Sequence, residues 1–234
     1  MFPFYFNINY LLFMAPAFII MIATQWYVNS AYRKWSKVPN RNRMTGAEVA
    51  QQLIRSGGLH DVRVEQVGGR LSDHYDPRSK TLRLSAGVAQ SASVAAAAIA
   101  AHELGHAMQD REDYFPLRFR AALVPMVNIG SYLGWILIII GMLLQAVNIA
   151  WLGVAVFAGG AAFALATLPV EFNASARAKR LLRETNIIVD SEEAGGVNRV
   201  LNAAALTYVA ALVTAIMQLL YYASMVLGMG NRRR

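Results

Sequence analysis

The chain has 234 residues, of which 56% are hydrophobic and only 15% are charged. This composition is too apolar for an ordinary soluble domain. The net charge is +8, but the basic residues crowd the ends of apolar stretches, which favours contact with lipid headgroups and argues against nucleic-acid binding. The absence of cysteine excludes disulfides and thiolate chemistry.

Three stretches carry no charged residue, namely 1–32, 121–170 and 200–231. Because a membrane span needs about 20 apolar residues, the first and last predict one span each, and the longer middle stretch predicts two spans with a tight turn near 145–148. The predicted spans cover about 8–29, 123–144, 149–169 and 203–228. The first lacks the basic start and the cleavage site of a secretory signal, so we expect a retained anchor.

The distribution of basic residues predicts the topology. Of the 22 Lys and Arg residues, 14 lie in 33–120 and five lie in 171–199, and basic segments that flank spans stay on the cytoplasmic side. Three arginines at the C-terminus would lie outside if the last segment crosses fully, so a re-entrant last segment or an inverted topology stays open. The expected organisation begins with an anchor at 1–32 and a cytoplasmic domain at 33–120. A span hairpin follows at 121–170, then a short cytoplasmic segment at 171–199, and a last span with a basic tail at 200–234.

The segment after the first span begins with a helix signal. Thr45 and Glu48 have the spacing of a capping box, which predicts a helix over about 46–55 that ends at the glycine pair 57–58.

Short alternating stretches then predict strands. Residues 61–67 alternate apolar and polar side chains, the glycine pair 68–69 is typical of a hairpin turn, and 70–74 is the expected return strand. A second turn at 76–79 leads to a third alternating stretch at 81–85. Together these elements predict a small antiparallel sheet of about three strands.

The stretch 93–108 is alanine-rich and predicts a buried helix. His102 and His106 lie four residues apart on it, on one face, and can chelate one Zn²⁺. Glu103 beside them can accept a proton from a water that the metal activates, which is why H-E-x-x-H on a helix indicates a metallopeptidase. Without a metal these polar groups would cost several kcal/mol in apolar surroundings. Gly105 within the motif would let other backbone approach closely.

A catalytic zinc usually has three protein ligands and one open position. The chain has four histidines, so the third ligand is His60, His74 or a carboxylate. We favour Glu171, which directly follows the third predicted span, because the span hairpin returns it to the side that holds the histidines. The simpler alternative for Glu171 is an interfacial charge.

The chain resembles the YugP-type family of bacterial membrane zinc metallopeptidases and, more distantly, the HtpX and Ste24 group of gluzincins. The resemblance lies in four segments, LSDHYDP at 71–77, KTLRLS at 80–85, AHELGHAMQ at 101–109 and LPVEFNAS at 168–175. With the span pattern it covers nearly the whole chain. The expected fold is therefore an α-helical membrane protein of about four transmembrane helices with a small α+β zincin-like cytoplasmic domain.

The resemblance implies one catalytic Zn²⁺ bound by His102, His106 and Glu171, with Glu103 as general base. It also implies a multi-pass protein of the bacterial inner membrane with its active site on the cytoplasmic side. Related sites have an aspartate two or four residues after the third ligand. This chain has Asn173 and Ser175 there, which makes these two residues the candidates for supporting a ligating histidine.

By the same resemblance, the third predicted strand is expected to be an edge strand that pairs with an extended peptide through its main chain. The substrate-binding residues would be Thr81, Leu82, Arg83, Leu84 and Ser85. His74, Tyr75 and Arg177 are candidates for stabilising the oxyanion. A structural hydrogen-bonding role is the alternative for His74.

Three functions follow. The first is a zinc metalloendopeptidase that cuts extended or unfolded peptide segments at the cytoplasmic membrane face, with lipids as its other partner. The second is an intramembrane protease of the site-2 type, whose third ligand is usually an aspartate in an Asp-Gly motif that this chain lacks. The third is a non-catalytic zinc scaffold, against which Glu103 argues, because structural zinc sites need no general base.

Overall fold

The computed structural model describes residues 8–69 and 72–231 and is mostly helical. Its elements in chain order are α1 Ile8–Trp35, α2 Gly46–Ser56, β1 Arg63–Val67, β2 His74–Asp76, β3 Thr81–Ser85, α3 Ala86–Ala89, α4 Val94–Arg111, α5 Phe115–Leu143, α6 Val147–Glu184 and α7 Ser191–Asn231. The chain forms two compact units. The apolar unit contains the described residues up to Thr24, Arg118–Leu168, and those from Thr207 onward; the sheet unit contains Gln25–Leu117 and Pro169–Leu206.

Four helices are long and apolar enough to cross a membrane: Tyr10–Trp35, Phe115–Leu143, Val147–Glu184 and Ser191–Gly230. The four helices coincide in sequence with the four predicted spans, and each helix is longer than its predicted span. In the apolar unit many large apolar side chains are exposed, as expected for surfaces that contact lipid, including Ile22, Met126 and Ile129. The basic tail 232–234, on which the question of the last crossing depended, lies outside the described residues.

The turn between the second and third spans is confirmed. Helix α5 ends at Leu143 and α6 begins at Val147, with Gln145 in the left-handed region at φ 54°. Next to the turn, a Cβ on Gly141 would lie 2.4 Å from the backbone nitrogen of Ala150. The missing side chain therefore lets the two helices pack backbone to backbone, a common arrangement of membrane helices.

In the sheet unit, α2 begins and ends where the sequence predicts. The Thr45 hydroxyl accepts a hydrogen bond from the Glu48 backbone N–H, and the Glu48 carboxylate accepts one from the Thr45 N–H at 2.8 Å. This is the predicted capping box. The helix ends at Ser56, and Gly58 adopts φ +66° in the following turn, a conformation that glycine adopts without steric cost.

The sheet has three strands in the order β1-β3-β2, with β1 parallel to β3 and β2 antiparallel to it. The prediction of an antiparallel sheet is therefore wrong for β1, and the glycine pair 68–69 does not join two neighbouring strands. The predicted return strand 70–74 lies partly outside the described residues; the observed strand is His74–Asp76. The turn after it does form the β2–β3 hairpin. Leu82 and Leu84 are fully buried, which explains why β3, the most apolar strand, takes the centre.

The expectation that β3 is an edge strand is also wrong. Every residue from Thr81 to Ser85 is paired with β1, and Thr81, Leu82 and Arg83 are paired with β2 as well. From Thr81 to Arg83, β3 therefore has no free main-chain edge for a peptide. The free edges belong to β1 and β2.

Helix α4 crosses the core of the sheet unit. Ser93 caps it by accepting a hydrogen bond from the Ala96 N–H at 3.2 Å, and it continues to Arg111, one turn beyond the prediction. The alanines of its first two turns are at most 2% exposed. Helix α4 packs on α2, α3, β2 and β3. The two histidines are therefore placed on a rigid, buried support.

Candidate metal centre

His102, His106 and Glu171 lie together in the sheet unit. The Nε2 atom of His102 is 3.3 Å from Glu171 Oε2, and that of His106 is 3.5 Å from the same oxygen. The ligand atoms of all three side chains lie within 4.8 Å of one another. Two imidazole nitrogens and a carboxylate oxygen form a donor set that suits Zn²⁺, and three protein ligands leave one position open. The residues therefore fit a zinc ion.

Glu171 lies on the part of α6 that belongs to the sheet unit, as do both histidines. The side chain of Glu171 is almost fully buried, with the residue 2% exposed. A buried carboxylate is costly unless it is paired or binds a metal. Glu171 is thus a buried carboxylate beside two imidazoles, in a group that could hold a metal ion.

Gly105 allows α6 to approach α4 at the site. A Cβ on this residue would lie 2.5 Å from the carbonyl oxygen of Ala174, which is three residues beyond Glu171 on α6. The close backbone approach expected from the sequence is thus observed. Glu171 is one helical turn before Ala174 on α6, so this close contact places its side chain beside the histidines.

We expect Gly105→Ala to separate α4 from α6 at this contact. Overpacking of this kind costs about 1–3 kcal/mol, and the shift should also weaken zinc binding by moving Glu171. Thermal unfolding and metal analysis would measure both effects. Gly195→Ala is the matched control, because a Cβ there meets nothing within 4 Å and alanine favours a helix by about 1 kcal/mol. Equal behaviour of the two variants would contradict the packing role.

Glu103 is on α4, and its carboxylate contacts the edge strand β2. Its Oε2 accepts a hydrogen bond from the Tyr75 backbone N–H at 3.1 Å, so this amide turns away from β3 and toward the helix. Burial raises the pKa of Glu103, while His102 and His106 act to lower it and the net direction is upward. A raised pKa brings a carboxylate closer to the range in which a general base accepts and returns a proton.

The Nδ1 atoms of the two histidines, here called the outer nitrogens, have different partners. His102 Nδ1 lies 3.2 Å from the hydroxyl of Ser175, and His106 Nδ1 lies 3.0 Å from Oε1 of Gln109. Ser175 thus occupies one of the two positions where the sequence lacked an expected aspartate. Gln109 was missed, although it follows His106 by three residues and therefore lies on the same helix face.

Asn173, the other residue at an expected aspartate position, supports Gln109 and bonds neither outer nitrogen. Its Oδ1 accepts hydrogen bonds from Gln109 Nε2 at 2.9 Å and from Arg177 Nε at 2.7 Å. Arg177 also donates to Glu112 at 2.7 Å and lies over the ring of Tyr114. These contacts hold Arg177 in place beside the site.

The two other oxyanion candidates are on β2. His74 is exposed, and its Nδ1 lies 2.8 Å from the carbonyl oxygen of Ser72. The Tyr75 hydroxyl donates to Asp110 at 2.9 Å. Burial and this hydrogen bond raise the pKa of Tyr75, so the hydroxyl stays protonated. His60, a remaining third-ligand possibility, is exposed; neither it nor His74 belongs to the cluster that Glu171 completes.

Comparison with known proteins gives a consistent result. Residues 10–227 match the model of a family described as "Putative neutral zinc metallopeptidase". The chain is 45% identical over 198 residues to the "Putative membrane protease YugP" of Bacillus subtilis (strain 168), which covers 85% of this chain and 88% of the relative. No solved structure matches.

Proposed function

The chain belongs to the neutral zinc metallopeptidase family, and from this premise we propose that it is a membrane-bound zinc endopeptidase that cleaves extended or unfolded segments at the cytoplasmic membrane face. The observation that carries the proposal is the approach of Glu171 to His102 and His106 on a helix that also carries Glu103. This arrangement supplies three ligands, an open position and a base, as a gluzincin-type hydrolase requires.

Each side chain has a distinct role in the proposed reaction. A bound zinc ion would act as a Lewis acid on the scissile carbonyl and would acidify the attacking water. His102, His106 and Glu171 would hold the ion. The Glu103 carboxylate would accept the proton of the attacking water and then deliver it to the leaving nitrogen, so that the peptide bond breaks into a carboxylate and an amine.

The substrate would lie along β2 and not along β3, the strand that was expected from the sequence to bind the peptide. Strand β2 is at the edge of the sheet, and the Tyr75 N–H on that side donates to the proposed base. A peptide bound beside this strand would therefore pass next to Glu103. Binding through main-chain hydrogen bonds needs an extended peptide and tolerates many sequences.

Arg177 is the best supported of the three oxyanion candidates. Its Nε and Nη2 atoms are held by Asn173 and Glu112. Its Nη1 atom is buried and has no hydrogen-bond partner among the residues that the structure describes. A fixed cation with one donor to spare suits the stabilisation of a developing negative charge.

Two substrates, tested with the purified protein in liposomes, separate the three candidate functions. One is an unfolded soluble protein, and the other is a peptide that spans the bilayer once. Cleavage of the unfolded protein that stops with a chelator and returns with zinc supports the proposal. Cleavage within the span would favour the intramembrane alternative. Zinc binding without cleavage of either substrate would favour the non-catalytic scaffold.

The proposed topology predicts that Lys37 faces the cytoplasm, whereas the α5–α6 turn faces outside. Because the chain has no cysteine, single cysteines can be introduced on a clean background. In intact cells, Lys37→Cys should react only with a membrane-permeant thiol reagent, and Leu144→Cys should also react with an impermeant one. Both positions are exposed. The reverse labelling pattern would invert the topology.

A further inference from the structure

A chain of hydrogen bonds leads from Arg177 to the outer nitrogen of His106. Arg177 Nε and Gln109 Nε2 both donate to Asn173 Oδ1, at 2.7 and 2.9 Å. Gln109 Nε2 also donates to the carbonyl oxygen of Val170 at 2.8 Å, and Gln109 Oε1 lies 3.0 Å from His106 Nδ1. Gln109 is fully buried, so these protein groups, and not bulk water, determine how its amide is oriented.

Donor and acceptor chemistry gives this chain a single direction. A guanidinium N–H can only donate, so the Asn173 atom that faces Arg177 is the oxygen. An oxygen at that position needs a donor from Gln109, which therefore presents its NH₂ group. The Val170 carbonyl, which can only accept, requires the same NH₂ group independently. The orientation of the Gln109 amide is thus fixed twice.

The Gln109 amide determines which nitrogen of His106 carries the hydrogen. With its NH₂ group turned toward Asn173 and Val170, Gln109 presents its oxygen to Nδ1 of His106, and this oxygen can only accept. Nδ1 must then carry the hydrogen, and the lone pair of the neutral ring lies on Nε2. Nε2 is the atom 3.5 Å from Glu171 Oε2, on the side where a metal would bind.

His102 is held differently. Its outer nitrogen lies 3.2 Å from the Ser175 hydroxyl, and a hydroxyl can either donate or accept. Ser175 therefore accommodates both neutral tautomers of His102 and selects neither. The two histidines of the motif therefore differ in how their tautomers are controlled.

We infer that Gln109 is a positioning residue that holds His106 in the metal-binding tautomer before any metal arrives, an inference that rests on the proposed function. Asn173, Arg177 and the Val170 carbonyl hold Gln109 in turn. A carboxamide performs this task without placing a further negative charge in a fully buried position, where an unpaired charge is costly.

Gln109→Met tests the inference, because methionine has a similar length and volume but has only a weakly accepting thioether in place of the amide oxygen. We expect zinc affinity, measured by competition with a chelating dye, to fall about 10–100-fold, the range observed when a partner behind a ligating histidine is lost. Gln51→Met is the matched control, because it makes the same chemical change at an exposed position on α2. Its zinc affinity should match that of the wild type.

The tautomer itself provides a readout that mere loss of packing would not change. In metal-free protein with ¹⁵N-labelled histidine, at a pH where the ring is neutral, His106 should carry its hydrogen on Nδ1. Gln109→Met should populate the Nε2–H form. Thermal unfolding of each variant monitors the fold.

Two results would overturn the inference. One is a wild-type His106 ring protonated on Nε2, which decides the question even if Gln109→Met does not fold. The other is a folded Gln109→Met variant with wild-type zinc affinity. A wild-type protein that binds no zinc, but has the expected His106 tautomer, would instead contradict the proposed function and leave the role of Gln109 in orienting the ring intact.

Discussion

Glu171→Ala is expected to lower zinc affinity by more than about 100-fold, because even the loss of a group behind a ligand costs about 10–100-fold. Its Oε2 atom lies 3.3 Å from Nε2 of His102 and 3.5 Å from Nε2 of His106. Its removal leaves two histidines on one helix, which is one ligand short of a catalytic zinc site. Metal analysis of the purified variant measures the loss, and peptide hydrolysis should disappear with the zinc.

A second carboxylate on the same helix serves as the control. Glu184 is the last residue of α6, its side chain is 64% exposed, and its contact with Arg180 is 4.0 Å long. Glu184→Ala removes the same chemical group without touching the site, so it should keep wild-type zinc content and activity. If Glu171→Ala also keeps its zinc, the third ligand must be sought elsewhere, with His74 as the first candidate.

Glu103→Gln is expected to retain zinc and to lower peptide hydrolysis by about 10²–10⁴-fold, the usual contribution of a general acid–base group. Glutamine has nearly the same shape as glutamate, and its side-chain oxygen can still accept the hydrogen bond from the Tyr75 N–H. The site should therefore remain assembled. What is lost is the ability to accept the proton of the attacking water.

Paired measurements on one preparation distinguish the roles at this position. Zinc content reports on assembly of the site, and hydrolysis of an unfolded protein reports on the base. Loss of zinc in Glu103→Gln would show that Glu103 belongs to the metal-binding set, and full activity with zinc bound would assign the base elsewhere. Glu184→Gln, with the same chemical change at an exposed position, should match the wild type in both measurements.

Local patterns predicted much of this structure because their causes are local. The capping box at Thr45 and Glu48 depends on residues three apart, and the histidine pair depends on the pitch of one helix. Both of these contacts lie within one helix or at its start. Glu171 is different, because it lies on α6 and the histidines lie on α4; it was predicted from the expectation that a span hairpin returns the chain to the histidines.

The sheet order could not be predicted in the same way. Strand alternation identifies a strand but does not identify its neighbours, and the glycine pair after β1 suggested a hairpin that does not form. Burial of Leu82 and Leu84 placed β3 in the centre, with β1 parallel to it. The assignment of the peptide-binding edge to β3 failed for this reason.

The role of Gln109 could not be predicted from the sequence, for a different reason. A glutamine on a helix has no signature of its own, and its importance depends on the Val170 carbonyl and the Asn173 side chain, both more than 60 positions away in sequence. Its spacing of three residues from His106 indicates that the two share a helix face. It does not indicate which atom faces the ring. Only the packing of α6 against α4 defines that partner.

A zinc titration of the metal-free protein, with hydrolysis of an unfolded protein followed at each step, tests the central claim most directly. We predict that activity rises in proportion to bound zinc and stops rising at about one ion per chain, as expected for a single site with three protein ligands. Glu171→Ala should stay inactive throughout the same range. Hydrolysis that does not depend on zinc, or that Glu171→Ala supports equally well, would contradict the assignment of the site.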